Sequence, residues 1–404
     1  MFQVEHPITE LVSGEDLVEH MLRIAAGHPL PQRLTSLPHQ CIQARGWAVE
    51  SRVYAEDPLK NFLPSVGPLI TYKEPETHSS DPCSSEGSDI TVRVDGGVFE
   101  GGQVSMFYDP MLSKLATHAS SRPSAISAMK TAIDGYVVRG VENNLCFLRS
   151  VLDNEKFVSG DYGTHFISEQ YPKGFTGVHL NESDEFKVIA FAAVISRRMH
   201  RQEDMVADVK VVSLPSDARG KSKDYVVHGN HAKGRMELSI MPIESLAGTA
   251  EAEPLAQLQV EHCEWIDGQP LAKLSFRSLA SDVSPTELEV MQYEGRTVEG
   301  IRIRYKGAVK EVIVRTTKEH ILSRHMPPPR VKDTSNLLLS PMAGKLLSLS
   351  VANGDRVYPG QALAVVEAMK MQNVLKASKS GVVKEIKSIV GSHLKIDQII
   401  LEFE

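Results

Sequence analysis

Val365-Val366-Glu367-Ala368-Met369-Lys370-Met371-Gln372-Asn373 sets one lysine between two methionines, where an apolar run gives way to a polar one. The residues around it repeat at a period of 37: Gly344 matches Gly381, Gly354 matches Gly391, Gln361 matches Gln398, Leu363 matches Ile400 and Glu367 matches Glu404. Both copies alternate apolar and polar residues, as strands do. They predict two four-strand halves packed face to face as a flattened barrel, each burying the other's apolar face. The only long excursion between the copies is A-M-K-M-Q-N, so Lys370 falls on the hairpin that joins them. A lysine on a tight hairpin of a rigid sandwich protrudes far enough to enter another protein's active site. That favours a modification lysine over a merely solvated one.

Working outward, His325-Met326-Pro327-Pro328-Pro329-Arg330 reads as a semi-rigid spacer, because three prolines favour extended geometry. We place a linker over 319–336 and the carrier domain over 337–404. Before the linker, eight short alternating runs between Met205 and Arg315 predict a small antiparallel sheet or barrel. A helix over 182–203 precedes them, with Phe186, Ile189, Ala190, Ala193 and Val194 apolar and Arg197, Arg198 and Arg201 near its C-terminal end, where the helix dipole favours cations. This helix is expected either inside the strand set or capping it.

The first 172 residues alternate helical and strand patterns, an α+β unit. Ser13 is the expected cap of a helix running to about Ala26, with Leu17, Val18, Met21, Leu22 and Ala25 facing inward and a Glu19–Arg23 pair outside. Trp47–Tyr54 reads as a strand, and 74–89 as a loop. Ser121 with Pro123 opens a helix ended by Gly135. Tyr136-Val137-Val138 reads as a strand and 141–153 as an amphipathic helix.

Composition is that of an ordinary globular chain: 404 residues, 42% hydrophobic and 24% charged. A formal charge of −7 argues against a nucleic-acid or membrane-surface role. No apolar run approaches the ~20 residues of a membrane helix. Cys41, Cys83, Cys146 and Cys263 never form a C-x-x-C pair, which argues against a disulfide framework and a zinc site; no metal ligands are assigned. The opening M-F-Q-V-E-H-P-I-T-E shows neither a transit nor a secretory pattern and reads like the middle of a folded domain.

V-E-A-M-K-M closely resembles the attachment motif of biotin carboxyl carrier domains, and S-P-M-A-G at Ser340–Gly344 accompanies it. The resemblance implies covalent biotin on Lys370, flanked by Met369 and Met371. Lipoyl domains share that fold but usually lack the paired methionines. Q-V-E-H-P-I-T-E at Gln3–Glu10 and E-S-R-V-Y-A-E-D-P at Glu50–Pro58 resemble the C-terminal part of a biotin carboxylase, an ATP-grasp domain. By that resemblance Gln3 and the Val4 backbone help bind bicarbonate. Glu5 is the general base that deprotonates it, and Arg52 stabilises the biotin enolate oxygen. D-P-M-L-S-K-L, Y-V-V-R-G-V-E-N-N and Y-P-K-G-F-T-G extend the likeness to the α subunits of biotin-dependent acyl-CoA carboxylases, propionyl-CoA carboxylase above all.

The resemblance implies a multidomain ligase chain. Its parts are the C-terminal portion of a biotin carboxylase domain (1–172), a β-subunit-docking domain made of a helix inside a β-barrel (173–318), and an all-β biotinyl domain. It implies a carboxyltransferase β subunit as partner in an α/β hetero-oligomer, a biotin protein ligase, bicarbonate as substrate, and ATP with Mg or Mn. It places the chain in the mitochondrial matrix, or in the cytoplasm of a bacterium. The family's N-x-R-x-Q-V-E-H has Met1 here at its arginine, and the ATP-binding residues are not in these 404 positions. On its own the chain is therefore not expected to activate bicarbonate. Methylcrotonyl-CoA carboxylase and a non-catalytic biotin carrier are the alternatives.

Overall fold

In the computed structural model the described residues are 3–35, 44–77, 90–105, 107–200, 207–215, 222–232, 235–247, 253–279, 288–326, 334–368 and 371–404. Cys41, Cys83, most of the loop read at 74–89, the prolines of the spacer, Met369 and Lys370 lie outside them.

The first unit opens with two helices, α1 (His6–Ser13) and α2 (Leu17–Ala25). The single helix expected from Ser13 is thus divided. Gly14 adopts the left-handed conformation (φ 72°) that ends α1, and Asp16, not Ser13, caps α2 by accepting from Glu19 N at 2.7 Å. The outer Glu19–Arg23 pair forms. The inward face does not: no α2 residue is buried, and Leu22 is 67% exposed. Strands β1 (Trp47–Tyr54), β2 (Thr91–Gly96) and β3 (Met111–Ala119) form an antiparallel sheet in the order β1-β3-β2. Helix α3 (Arg122–Gly135), capped by Ser121 as expected, lays Ile126, Met129 and Ile133 on it. Helix α4 (Leu145–Asp153) starts later than the 141–153 pattern suggests; Val141 is buried just ahead of it.

Helix α5 (Glu182–Met199) is apolar on every side over Val188–Ile195, which are almost wholly buried. A helix without a polar face needs a complete apolar enclosure. Eight strands supply it: β4 (Ala207–Leu214), β5 (Lys223–Ala232), β6 (Arg235–Pro242), β7 (Ala256–Glu264), β8 (Leu271–Ser278), β9 (Glu289–Arg296), β10 (Ile301–Tyr305) and β11 (Ala308–Thr316). They pair in chain order and close by β4 against β11, leaving no edge. The helix therefore sits inside the strands. Helix α6 (Thr317–Ser323) follows under a Thr316/Glu319 capping box with His320 buried, so the segment read as linker from 319 begins inside a helix.

The barrel is fastened to the first unit through buried polar groups. Gln292, 2% exposed, donates to the carbonyls of Asp134 (2.8 Å) and Tyr136 (3.0 Å) and accepts from Arg139 Nη2 (2.8 Å). Glu294 takes Arg304 at 2.7 Å and Arg139 at 3.5 Å. Burial pushes the Glu294 carboxyl up, but these two guanidiniums outweigh it and hold it below the usual carboxylate range. Beside them, Arg149 Nε lies 3.1 Å from both carboxylate oxygens of Asp134, whose pKa burial pushes up to about 6.

The last unit has strands β12 (Leu337–Leu339), β13 (Gly344–Leu349), β14 (Arg356–Val357), β15 (Ala362–Ala368), β16 (Met371–Lys376), β17 (Gly381–Ile386), β18 (His393–Leu394) and β19 (Ile399–Phe403). One sheet runs β12-β19-β17-β14 and the other β16-β15-β13-β18. The repeat maps β13 onto β17, β14 onto β18 and β15 onto β19, so it carries one sheet onto the other. Each sheet takes two strands from each copy. The copies do not form one sheet apiece as the alternation suggests; they interlock.

Candidate functional site

The strand period decides what β1 can display. Ser51 and Val53 point into the core, and Glu50 and Arg52 share the opposite face. Asn144 fixes the end of this strand: its side chain accepts from Tyr54 N at 2.9 Å and donates to Arg52 O at 3.0 Å. Arg52 Nη2 donates to Glu5 Oε1, and its Nε lies 3.5 Å from Glu50 Oε1. Glu5 immediately precedes α1, and Gln3 O accepts from His6 N at 3.2 Å in the same turn. Val4 is 40% exposed beside it. The structure thus brings Gln3, Val4, Glu5 and Arg52 into one half-open patch, with the Glu5 side chain 59% and that of Arg52 33% exposed.

A chain of charges holds α1 over the sheet. Glu10 accepts from Arg93 Nη1 at 2.7 Å and from Leu17 N at 2.9 Å. Arg93 also binds Asp95, at 2.7 and 3.1 Å, and Lys114, the partner of Arg52 across β1 and β3, is 3.4 Å from Asp95. Tying Glu10 to β2 sets the first turn of α1, and with it Glu5, above Arg52. Sequence reasoning missed Glu10, Arg93 and Asn144. Glu50 was missed as a contact, though the alternation in W-A-V-E-S-R-V-Y puts it on the Arg52 face. Burial raises the Glu50 pKa, Arg52 and Lys114 pull it back, and its Oε2 is buried without a hydrogen-bond partner. Burial also works against the Arg52 charge, but Tyr54, Glu5 and Glu50 outweigh it and keep the guanidinium firmly cationic. A fixed guanidinium offers forked donors to an oxyanion. A carboxylate beside it can take a proton from an acid bound between them.

The second site is the β15–β16 hairpin. Val366 pairs with Asn373, Glu367 with Gln372 and Ala368 with Met371, so only Met369 and Lys370 connect the strands. The backing of this hairpin is close-packed. A Cβ on Gly344 would lie 2.6 Å from Glu367 O and 2.8 Å from Val366 Cγ1. Met342 is buried beneath it, with Asn373 Nδ2 3.7 Å from its sulfur, and the fully buried Ser340 donates to Met342 O at 2.7 Å. S-P-M-A-G is therefore the floor of the hairpin. Among the described residues no cluster of three or more His, Cys, Asp or Glu side chains could hold a metal ion.

Three family models match: "Carbamoyl-phosphate synthase L chain, ATP binding domain" over residues 1–33, "Biotin carboxylase C-terminal domain" over 50–169, and "Biotin-requiring enzyme" over 336–403. The propionyl-CoA carboxylase alpha chain of Ruegeria pomeroyi is 40% identical over 421 residues, covering 100% of this chain and 57% of its own length. The mitochondrial alpha chain of Homo sapiens is 36% identical over 413 residues, covering 100% and 51%. A methylcrotonoyl-CoA carboxylase subunit alpha of Rattus norvegicus is 29% identical over 416 residues, covering 100% and 52%. The chain spans about half the length of these relatives. A solved biotin carboxylase domain of Hydrogenobacter thermophilus 2-oxoglutarate carboxylase is 30% identical over 42% of this chain and 34% of its own, with a TM-score of 0.37.

Proposed function

We propose that this chain, which is similar over its whole length to propionyl-CoA carboxylase alpha chains and carries a biotin carboxylase C-terminal domain and a biotinyl domain, is the biotin-bearing portion of a propionyl-CoA carboxylase α subunit. The observation that carries this reading is the two-residue hairpin backed by Ser340, Met342 and Gly344, with Lys370 at its tip in sequence. The rigid floor lets the lysine ε-amine be presented to a biotin protein ligase. Bound there as an amide, biotin supplies the carrier chemistry, holding CO₂ on a ureido nitrogen.

In this reading Gln3 and the Val4 amide hold bicarbonate against the patch. Glu5 Oε1, already hydrogen-bonded to Arg52, takes its proton. Arg52 then donates to the oxygen on which negative charge develops, where a pre-oriented guanidinium is worth most. Glu50 and Asn144 keep Arg52 aimed. ATP with its metal would supply the activation of bicarbonate in this reading. The carboxyltransferase β subunit, docked on the barrel, carboxylates propionyl-CoA to methylmalonyl-CoA. The higher identity to propionyl- than to methylcrotonoyl-CoA carboxylase chains favours that substrate. The compartment follows the source, mitochondrial matrix or bacterial cytoplasm.

The test is a streptavidin blot and peptide mass spectrum of the chain produced with a biotin protein ligase. Biotin on Lys370, lost in Lys370→Arg, is expected. A chain that stays unbiotinylated overturns the reading. In the holoenzyme, Arg52→Ala is expected to lower bicarbonate-dependent ATP turnover by about 10²–10³-fold, the cost of losing one oxyanion donor. A change below tenfold removes Arg52 from the chemistry.

A further inference from the structure

The turn after β1 is strained and rigid, and it touches another unit. Residues 58–60 form one turn of 3₁₀ helix between Glu56–Asp57 and Leu63–Pro64, which pair antiparallel. Asn61 (φ 55°) and Phe62 (φ 59°) are both left-handed. For a bulky residue such as Phe62 this is an outlier, kept only where its surroundings over-determine it. Here they do. Phe62 N donates to Asp57 O at 2.8 Å, Asp57 Oδ1 accepts from Leu59 N at 3.0 Å, and the Phe62 ring meets Phe147 edge-on at 4.9 Å. Phe147 is itself clamped by Tyr171 and Phe175, at 5.3 and 5.5 Å. Leu63 follows directly on this turn, paired with Asp57 and half-buried.

Leu63 does not join the core of its own unit. It packs against the cluster of Met342, Leu346, Ala364, Val366, Ala368 and Leu394, behind the Lys370 hairpin. We propose that the turn Pro58–Leu63 is the docking knob on which the biotinyl domain of the same chain comes to rest when its lysine is presented to the Glu5–Arg52 patch. The proposal rests on the functional reading above. The turn follows Arg52's own strand by only a few residues, so a domain seated on it is held at that unit. One leucine is a weak bond. That suits a carrier, which must leave after loading, and a tether raises the local concentration enough for a weak seat to be occupied. The strained backbone supplies preorganisation: the knob needs no ordering when the carrier arrives.

The experiment uses the full chain without biotin, so that it is independent of the functional reading. A photoreactive p-benzoylphenylalanine replaces Leu63, isotopically heavy and light chains are mixed at low concentration, and adducts are mapped after illumination. Adducts to residues 334–404 within one chain are expected. Adducts joining heavy to light chains, adducts elsewhere, or none overturn the proposal. In case the bulky probe disturbs the turn, Leu63→Ala is followed by hydrogen exchange. It is expected to speed exchange several-fold in β13 and β15, while Leu59→Ala on the same turn, where Leu59 is 62% exposed, leaves them unchanged. Unchanged exchange in Leu63→Ala, or equal acceleration by both variants, also overturns it.

Discussion

The barrel Ala207–Thr316 and the sandwich Leu337–Phe403 each have eight antiparallel strands, but the barrel fills its interior with a helix and the sandwich with its own duplicate. In the barrel the strands pair in chain order and the core converges on α5. In the sandwich the two repeats exchange strands, and the core divides into two small clusters with Leu338 against both. A helix inside a barrel concentrates stability in one element. Interlocked repeats spread it over two copies, so that neither has a sheet without the other. The difference suits the proposed roles: a stationary docking platform, and a small carrier that must stay folded while it moves.

The largest break in this comparison is expected at Phe191, fully buried in α5. Phe191→Ala should cost about 3–5 kcal/mol. Hydrogen exchange should show lost protection across β4–β11 while β12–β19 keep theirs. Equal loss in both regions would mean that the two do not fold separately.

Next comes the barrel's weld to the first unit, which is polar where the Leu63 contact of the sandwich is apolar. Gln292→Leu orphans the carbonyls of Asp134 and Tyr136 and strips Arg139 of an acceptor. Buried unpaired groups at that rate come to about 3 kcal/mol. Calorimetry should then resolve the first unit from the barrel, with the sandwich transition unmoved.

The same seam should make the barrel end more pH-sensitive than the carrier. Burial raises the Asp134 pKa to about 6, above its unfolded value, so the folded state binds this proton more tightly. Its contribution is complete at low pH and is lost as pH rises from about 4 through 6, on the order of 3 kcal/mol. Asp134→Asn should flatten that slope in the first-unit and barrel transition, measured between pH 4.5 and 7.5 (about the range in which the group titrates). An unchanged slope would assign the dependence to other groups.

The converse perturbation belongs to the sandwich. In Gly344→Ala the new methyl meets the Glu367 carbonyl at 2.6 Å, and β13 must move away from β15. Overpacking of this kind costs about 1–3 kcal/mol. It should lower the carrier's melting temperature and leave the barrel's unchanged.

How much of this was legible depended on the range of the forces involved. The eight barrel strands and α5 were readable because strand alternation and apolar residues at helical spacing are local patterns. Whether α5 lay inside or on top was not, since the apolar positions weighed, Phe186, Ile189, Ala190, Ala193 and Val194, lie along one face that either placement would bury. The repeat was readable at Gly344 and Gly381, but strand exchange was not, because exchanged and unexchanged copies bury the same alternating faces. The roles of Glu5 and Arg52 came from resemblance. What seats them is Glu10 on Arg93, partners 83 positions apart that no periodicity connects. The α2 pattern misled for the opposite reason: Val18, Met21 and Leu22 have helical spacing, yet amphipathicity predicts an apolar face without saying what covers it.

The smallest expected effect separates capping from packing at the start of α5. Asn181 accepts from Asp184 N at 2.8 Å, and Asp184 is in turn held by Lys306 from the β10–β11 turn, at 2.9 and 3.1 Å. If the cap itself matters, Asn181→Ala should cost about 1 kcal/mol and Asn181→Gly only a few tenths, the usual ranking at an N-cap. If the Lys306–Asp184 pair alone anchors the helix, the two variants should be alike and both small. Among the described residues the sandwich has no helix to cap, so its exchange rates serve as the internal reference. A barrel that loosens in the alanine variant and holds in the glycine variant would show that the first turn of α5, and not only its apolar middle, fixes the helix within the strands.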